Sequence, residues 1–189
     1  TGADRISRVI TSLNEFSRSD ESVQKKSFSV SDVIAGALNI VGAQIRRTVS
    51  QINQEIDDRL PPVSGHFQKI EPVIANLLLN AHQAIPSGRQ GLITIRCRSF
   101  ERLKAVVVDV EDNGKGIERK NLEHIFDPFF TTRRELDGTG LGLSISYGLV
   151  KEHQGLISVL SRPGQGSRFS VYLPVDKGRA LNLCPALLC

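Results

Sequence analysis

Two hydrophobic periods alternate along this chain. In "ADRISRVITSLNEFS", residues 3–17, Ile6, Val9, Ile10, Leu13 and Phe16 recur at helical spacing with charged and hydroxyl residues opposite, which predicts an amphipathic helix. The polar run "RSDESVQKKS" follows and reads as a linker, so this helix either belongs to a different structural unit or folds back on the domain beyond. A second helix is predicted from Ser31, as N-cap, through Val33, Ile34, Ala37, Leu38 and Val41 to about Arg47. "VSQINQEI" then reads as a strand and "RLPPVSG" as a loop.

The next helix carries "VIANLLLNAHQAI", and it starts at about Glu71 or kinks at Pro72, because proline fits only the first helical turn. Val73, Leu77, Ala81 and Ala84 form its apolar back, with Ile74, Leu78 and Ile85 beside them, while Asn76, Asn80 and Gln83 share another edge. The period then switches to β-branched runs: "LITIRCRSF" and "AVVVDVED" predict one antiparallel hairpin. A glycine-bearing segment, the helix "LSISYGLVKEH" and a second hairpin, "LISVLSR" with "RFSVYLPV", complete the pattern. Helices and hairpins mixed in this way predict an α+β fold, a two-layer sandwich with one helical layer. The divisions are a helix over 1–20, a linker over 21–30, a domain over 31–176 and a disordered tail over 177–189.

Bulk properties narrow the field only slightly. The chain has 189 residues, 40% hydrophobic and 23% charged, enough for one principal core. No apolar run approaches the roughly 20 residues that span a bilayer, and no signal-peptide core opens the sequence. The net charge of +4 is dispersed among acids, with only short pairs such as Arg46-Arg47 and Arg133-Arg134, which argues against nucleic acid as a partner. Cys97, Cys184 and Cys189 are odd in number and lack metal-ligand spacing, so the chain reads as soluble and cytosolic, whatever a longer parent carries.

Three stretches carry candidate chemistry. A row of amides on a helix can lie in solvent or cap a loop; it can also hold Mg²⁺ through neutral oxygens and donate to phosphate through nitrogen. "DVEDNGKGI" sets Asp112 at a strand end before Gly114 and Gly116, which is either a plain Asp-Asn-Gly turn or a carboxylate at a pocket floor, able to accept from an exocyclic amine. In "FDPFFTTRRELDGTGLGLSI", Gly138, Gly140 and Gly142 alternate with Thr139 and Leu141 before a helix, where free amides and a helix N-terminus suit an anion. Neither a dinucleotide fingerprint nor a Walker loop fits this spacing. Phe126, Phe129 and Phe130 read as anchors for one end of a mobile loop.

Taken in order, "NLLLNAHQA", "DNGKGI", "IFDPFFTTR", "GTGLGLSI" and "PGQGSRF" resemble the ATP-binding catalytic domain of sensor histidine kinases, within the GHKL superfamily. The resemblance covers roughly residues 27–175, and "PFFTTR" with "GTGLGLSISYGLVKEH" is closest to the nitrogen-regulation type. It implies a mixed sheet covered by helices on one face, with ATP and Mg²⁺ as cofactors. Asn80 would ligate the metal, with Asn76 supporting metal or phosphate from the same edge, beside Gln83 and Ala84. Asp112 would accept from the adenine amine, with Gly114, Gly116 and Ile117 shaping the ring pocket and Ser167 near the base. Residues from about Phe126 to Gly138 would form a lid bearing Thr132 and Arg133, the arginine reaching the phosphates that the backbone from Gly138 and Thr139 through Gly140, Leu141, Gly142 and Leu143 receives.

The same resemblance sets limits. ATP-hydrolysing relatives carry a glutamate where Asn76 stands, and an amide cannot activate water. Many relatives have a basic residue where Gln83 stands, a role open to Arg133 or Arg134. None of His66, His82, His124 and His153 has the acceptor pattern, so the acceptor is expected on a dimerisation domain, with 1–20 as the end of its second helix. The implied partners are that domain, within a homodimer, and a response-regulator receiver domain. The chain alone is expected to bind ATP without phosphorylating itself. A docking module switched by ATP, without transfer, is the competing function.

Overall fold

The computed structural model describes residues 26–132 and 139–175. The predicted helix over 1–20, the first half of the linker over 21–30, Arg133, Arg134 and Gly138, and the tail over 177–189 lie outside them.

The β-branched runs become a five-stranded sheet. Strands β2 (Val49–Ile56), β4 (Gly91–Phe100), β5 (Ala105–Asp112), β6 (Leu156–Arg162) and β7 (Gly166–Pro174) lie in the order β2-β4-β5-β7-β6. The β2–β4 pair is parallel and the others antiparallel, so the sheet is mixed. Side chains alternate faces along a strand, and the register stacks Cys97, Val108 and Val171 into one inward row and Ile95, Val110 and Phe169 into the next. The following row, Ile93, Asp112, Ser167 and Ser161, turns polar at its far end.

Helices α1 (Val30–Ile45) and α2 (Phe67–Ala84) pack on each other, and α2 also packs on α4 (Gly142–Glu152) and across β4, β5 and β7. A short α3 (Arg119–Leu122) follows the β5 loop. On α1, Val30, Val33, Ile34, Ala37, Val41 and Ile45 are buried at the spacing of one helical stripe. On α2 the buried set is Ile70, Val73, Ile74, Ala75, Leu77, Leu78 and Ala81, the predicted apolar back. The other sheet face carries ion pairs of Arg96 with Glu55 and Glu111, and of Arg98 with Asp109. The α+β, two-layer reading holds.

Three local expectations change. The cap of α1 is Ser29, and Ser31 sits in the first turn with its hydroxyl 2.6 Å from that of Ser29. Helix α2 begins at Phe67, a turn before Glu71, so Pro72 is interior; it faces solvent, where water can serve the carbonyl left without a donor. Lys26–Phe28 (β1), in the predicted linker, pairs antiparallel with Val63–Gly65 (β3), in the predicted loop.

Candidate nucleotide-binding site

The polar end of the inward row is where the candidate residues meet. Strand β5 delivers Asp112 opposite Ser167 of β7, at the mouth of the helical layer. Its side chain is almost wholly buried, and one carboxylate oxygen accepts the Gly114 N–H at 2.7 Å. Burial pushes its pKa from the ordinary 3.8 up to about 6; the backbone N–H groups of Gly114 and Ser167 pull it partly back, and the Glu111 charge raises it. A carboxylate this poorly solvated is short of donors.

The loop after β5 then folds under α2. A Cβ on Gly114 would lie 2.5 Å from the Ala84 carbonyl oxygen, so only glycine lets the loop reach the end of that helix. Gly116 follows with a left-handed φ of +68°, and the Ile117 N–H donates to the Ser161 hydroxyl at 2.8 Å. Ser161 in turn reaches the Gly166 carbonyl and the Ser167 hydroxyl, each at 2.9 Å. Asp112, Gly114, Gly116, Ile117, Ser167 and Ala84 thus form one end of a cleft.

The amide edge of α2 forms the other end. Asn76 donates from Nδ2 to the Ser146 hydroxyl of α4 at 3.0 Å, so any metal or phosphate role falls to its oxygen. That oxygen would lie 2.4 Å from a Cβ on Gly142, which is why the first residue of α4 carries none. The first hydrogen bond inside α4 is Ile145 N–H to the Leu141 carbonyl, and no side chain caps the helix. The Gly142 and Leu143 amides therefore precede the ladder recorded among the described residues, at a helix N-terminus suited to an anion. Leu141 is buried, and its N–H makes a long 3.4 Å contact with the Thr139 hydroxyl.

Asn80 differs from its neighbour. Its Nδ2 is buried, yet among the described residues it meets no hydrogen-bond partner, a state that costs about 1–3 kcal/mol when nothing fills it. Oxygen and nitrogen of an amide exchange by a flip, so the same position can present an acceptor. Gln83 continues the edge and is exposed.

The lid region is described only at its ends. Gly140, at φ +69°, sits so close to the Phe129 backbone that a Cβ would fall 2.4 Å from its carbonyl carbon, so the two ends of the loop touch. Phe126 packs on Tyr147 with ring centroids 5.4 Å apart, and Phe126 and Phe130 both pack against the core. Phe129 does not act as an anchor: its side chain is 62% exposed and its φ is +66°, because its backbone follows the turn that meets Gly140. Thr132 is exposed at the edge of the described residues.

Two positioning residues escaped the sequence reading. Ser161 lies inward at period two after Ile157 and Val159, and Ser146 lies one turn before Val150 on the buried side of α4. A hydroxyl at an otherwise apolar inward position was the available signal in both cases.

A family profile described as "Histidine kinase-, DNA gyrase B-, and HSP90-like ATPase" matches residues 65–177, more than half the chain. The chain belongs to this family. Its catalytic-domain likeness is to histidine kinases: the nucleotide-free catalytic domain of histidine kinase ThkA is 30% identical at a TM-score of 0.69, covering 80% of this chain and 96% of that one. Sensor histidine kinase ZraS of Escherichia coli O157:H7 is 36% identical over 174 residues, covering 92% of this chain and 36% of the relative. Signal transduction histidine-protein kinase AtoS of Escherichia coli K12 is 37% identical, covering 92% of this chain and 28% of the relative. The chain therefore spans about a third of the length of these curated relatives. A structure of ThkA in complex with response regulator protein TrrA matches at a TM-score of 0.73 and 27% identity, over 94% of this chain and 50% of that one. Among the described residues of this histidine kinase-, gyrase- and HSP90-like domain, no helix is long and apolar enough to cross a membrane.

The raised pKa of Asp112 has a stability signature. The protonated form is favoured in the fold, so its contribution is present below pH 3.8 and is lost as pH rises through about 6. Asp112→Asn keeps an oxygen for the Gly114 N–H and removes the buried charge. Denaturant melts should show the variant more stable than wild type by about 1–3 kcal/mol at pH 7.5, with the curves converging toward pH 4.

Proposed function

We propose that this chain is the ATP-binding catalytic domain of a two-component sensor histidine kinase. It passes the γ-phosphoryl of MgATP to a histidine on a dimerisation domain for relay to a response-regulator receiver domain. The observation that carries this reading is the buried Nδ2 of Asn80, which meets no hydrogen-bond partner among the described residues, one turn from Asn76, whose side chain meets the start of α4. A polyphosphate with its cation fits that gap chemically. The Asn80 amide oxygen is a neutral hard ligand that would hold a divalent cation together with phosphate oxygens. Such a cation would supply compensation of the phosphate charge.

The residues of the chain supply positioning. Asp112 accepts from the exocyclic amine of adenine, Ile117 and Gly116 face the ring, and Ser167 lies beside the base. Gln83 and Ala84 flank the region between base and metal, and Thr132, Thr139, Gly140 and Leu141 lie on the phosphate side, while Arg133 and Gly138 fall outside the described residues. The Gly142 and Leu143 amides receive phosphate oxygens without reorganisation at the moment of transfer. Asn76 holds the start of α4 in place through Ser146, and as an amide it cannot deprotonate water. Transfer to a histidine is thereby favoured over hydrolysis. The TrrA complex of ThkA supports a response regulator as the downstream partner. The dispersed charge fits a protein partner better than nucleic acid, and a free, buried Cys97 is compatible with the reducing, ATP-containing cytoplasm in which a homodimeric parent would act.

Calorimetric titration with a non-hydrolysable ATP analogue tests the site. Binding should be Mg²⁺-assisted, and Asn80→Ala should weaken it at least about tenfold with Mg²⁺ while changing little without it. Wild-type protein that is folded and binds no nucleotide would sink the reading. Supplying the dimerisation helices with their acceptor histidine should then give acid-labile phosphate, which an ATP-switched docking module would not form.

A pH series adds a second check. Only ionised Asp112 is a full acceptor for the adenine amine, so affinity should hold above pH 7 and fall as pH drops through about 6, approaching tenfold per unit below it. The Asp112→Asn variant should bind more weakly than wild type above pH 7 and show no such inflection.

A further inference from the structure

Arg89 lies outside every motif and on the surface, in the turn Pro86–Arg89 that links α2 to β4. Its Nη1 donates to the Asn113 carbonyl at 2.7 Å and the Gly114 carbonyl at 2.9 Å, with the Gly164 carbonyl of the β6–β7 turn at 3.4 Å. The Asn113 and Gly114 carbonyls belong to two consecutive peptide groups. In a planar trans peptide the C=O and the N–H point in opposite directions, so holding one fixes the other. The N–H opposite the Asn113 carbonyl is that of Gly114, which donates to Asp112 Oδ1 at 2.7 Å. The N–H opposite the Gly114 carbonyl is that of Lys115, which donates to the Ala84 carbonyl at 2.9 Å.

The surrounding turns close the same belt. Asn113 donates from Nδ2 to the Gln90 carbonyl at 2.9 Å and accepts the Leu92 N–H on Oδ1 at 2.9 Å. Gly164 N–H donates to the Lys115 carbonyl at 2.7 Å, tying in the β6–β7 turn. One guanidinium thus sets two peptide planes, one engaging the Asp112 carboxylate and the other joining the loop to the end of α2.

We propose that Arg89 is a positioning residue for base selectivity: by fixing these two peptide planes it holds the Gly114 N–H on Asp112 Oδ1 and so sets the orientation in which the carboxylate meets an exocyclic amine. The inference rests on the nucleotide reading of the cleft. Adenine offers a donor at its six position and guanine an acceptor, which a carboxylate repels. Loosening the planes lets the carboxyl turn and blurs that distinction, while the phosphate end, built from α2 and α4, is untouched.

The test compares Mg²⁺ complexes of ATP and GTP on wild type, Arg89→Ala and Arg89→Lys, by competition against a fluorescent ATP analogue, with thermal melts alongside. Arg89→Ala should weaken ATP about tenfold and GTP little, so that the GTP-to-ATP ratio of dissociation constants narrows about tenfold. Arg89→Lys, a point charge able to reach one carbonyl, should fall between. Equal weakening of ATP and GTP in Arg89→Ala would show general loosening and overturn the inference, as would no change in either. A folded wild type that binds neither nucleotide overturns the reading beneath it instead.

Discussion

Everything in the cleft depends on how α2 lies on the sheet. Its apolar back is sealed by Ile70, Val73, Ile74, Leu77 and Leu78, each at most 1% exposed, and that burial leaves the helix no freedom to rotate. A turn of the helix would trade apolar area for amide area at roughly 25 cal/mol per Å², so the amide edge is held where Asn76 meets α4 and Asn80 Nδ2 finds no partner among the described residues. The end of the same helix meets the β5 loop, where Ala84 accepts the Lys115 N–H and Gly114 slips beneath. Base end and phosphate end are therefore set by one rigid element.

That rigidity suits phosphoryl transfer, in which little covalent work falls to the protein and most of the barrier is lowered by placement and charge compensation. In the proposed reading the donors to phosphate are backbone amides at the start of α4, fixed by secondary structure rather than by flexible side chains. The carboxylate at the base end is held in an environment that disfavours its charge, with its pKa pushed up to about 6. Such a group destabilises the empty fold and is relieved by a donor, which couples ligand binding to stability.

The sequence made the large elements legible because each is long enough to show a period. Ten residues of β4 and eight of β5 suffice to display β-branched alternation, and the amide edge of α2 stands out against its apolar neighbours. The β1–β3 pair was unreadable, since three residues cannot establish a period of two and their pairing joins segments far apart in sequence. The α2 start was misjudged because Pro72 drew the boundary forward, while the interior position is tolerated on the exposed side. Phe129 looked like an anchor by composition, but its backbone, turned to meet Gly140, points the ring outward. The motif residues were visible as types; their supports, Ser146, Ser161 and Arg89, act through tertiary bonds that no local spacing encodes.

The central claim is that the buried amide of Asn80 faces the metal of a bound nucleotide. It is tested most directly by following asparagine side-chain amide signals in ¹⁵N-labelled protein, with the Asn80 resonance assigned through Asn80→Ser, while Mg²⁺ in the nucleotide complex is replaced by paramagnetic Mn²⁺. The account predicts that the Asn80 signal broadens beyond detection with the Mn²⁺ complex and stays sharp with the Mg²⁺ complex. An Asn80 signal that stays sharp at saturating Mn²⁺ nucleotide would contradict it.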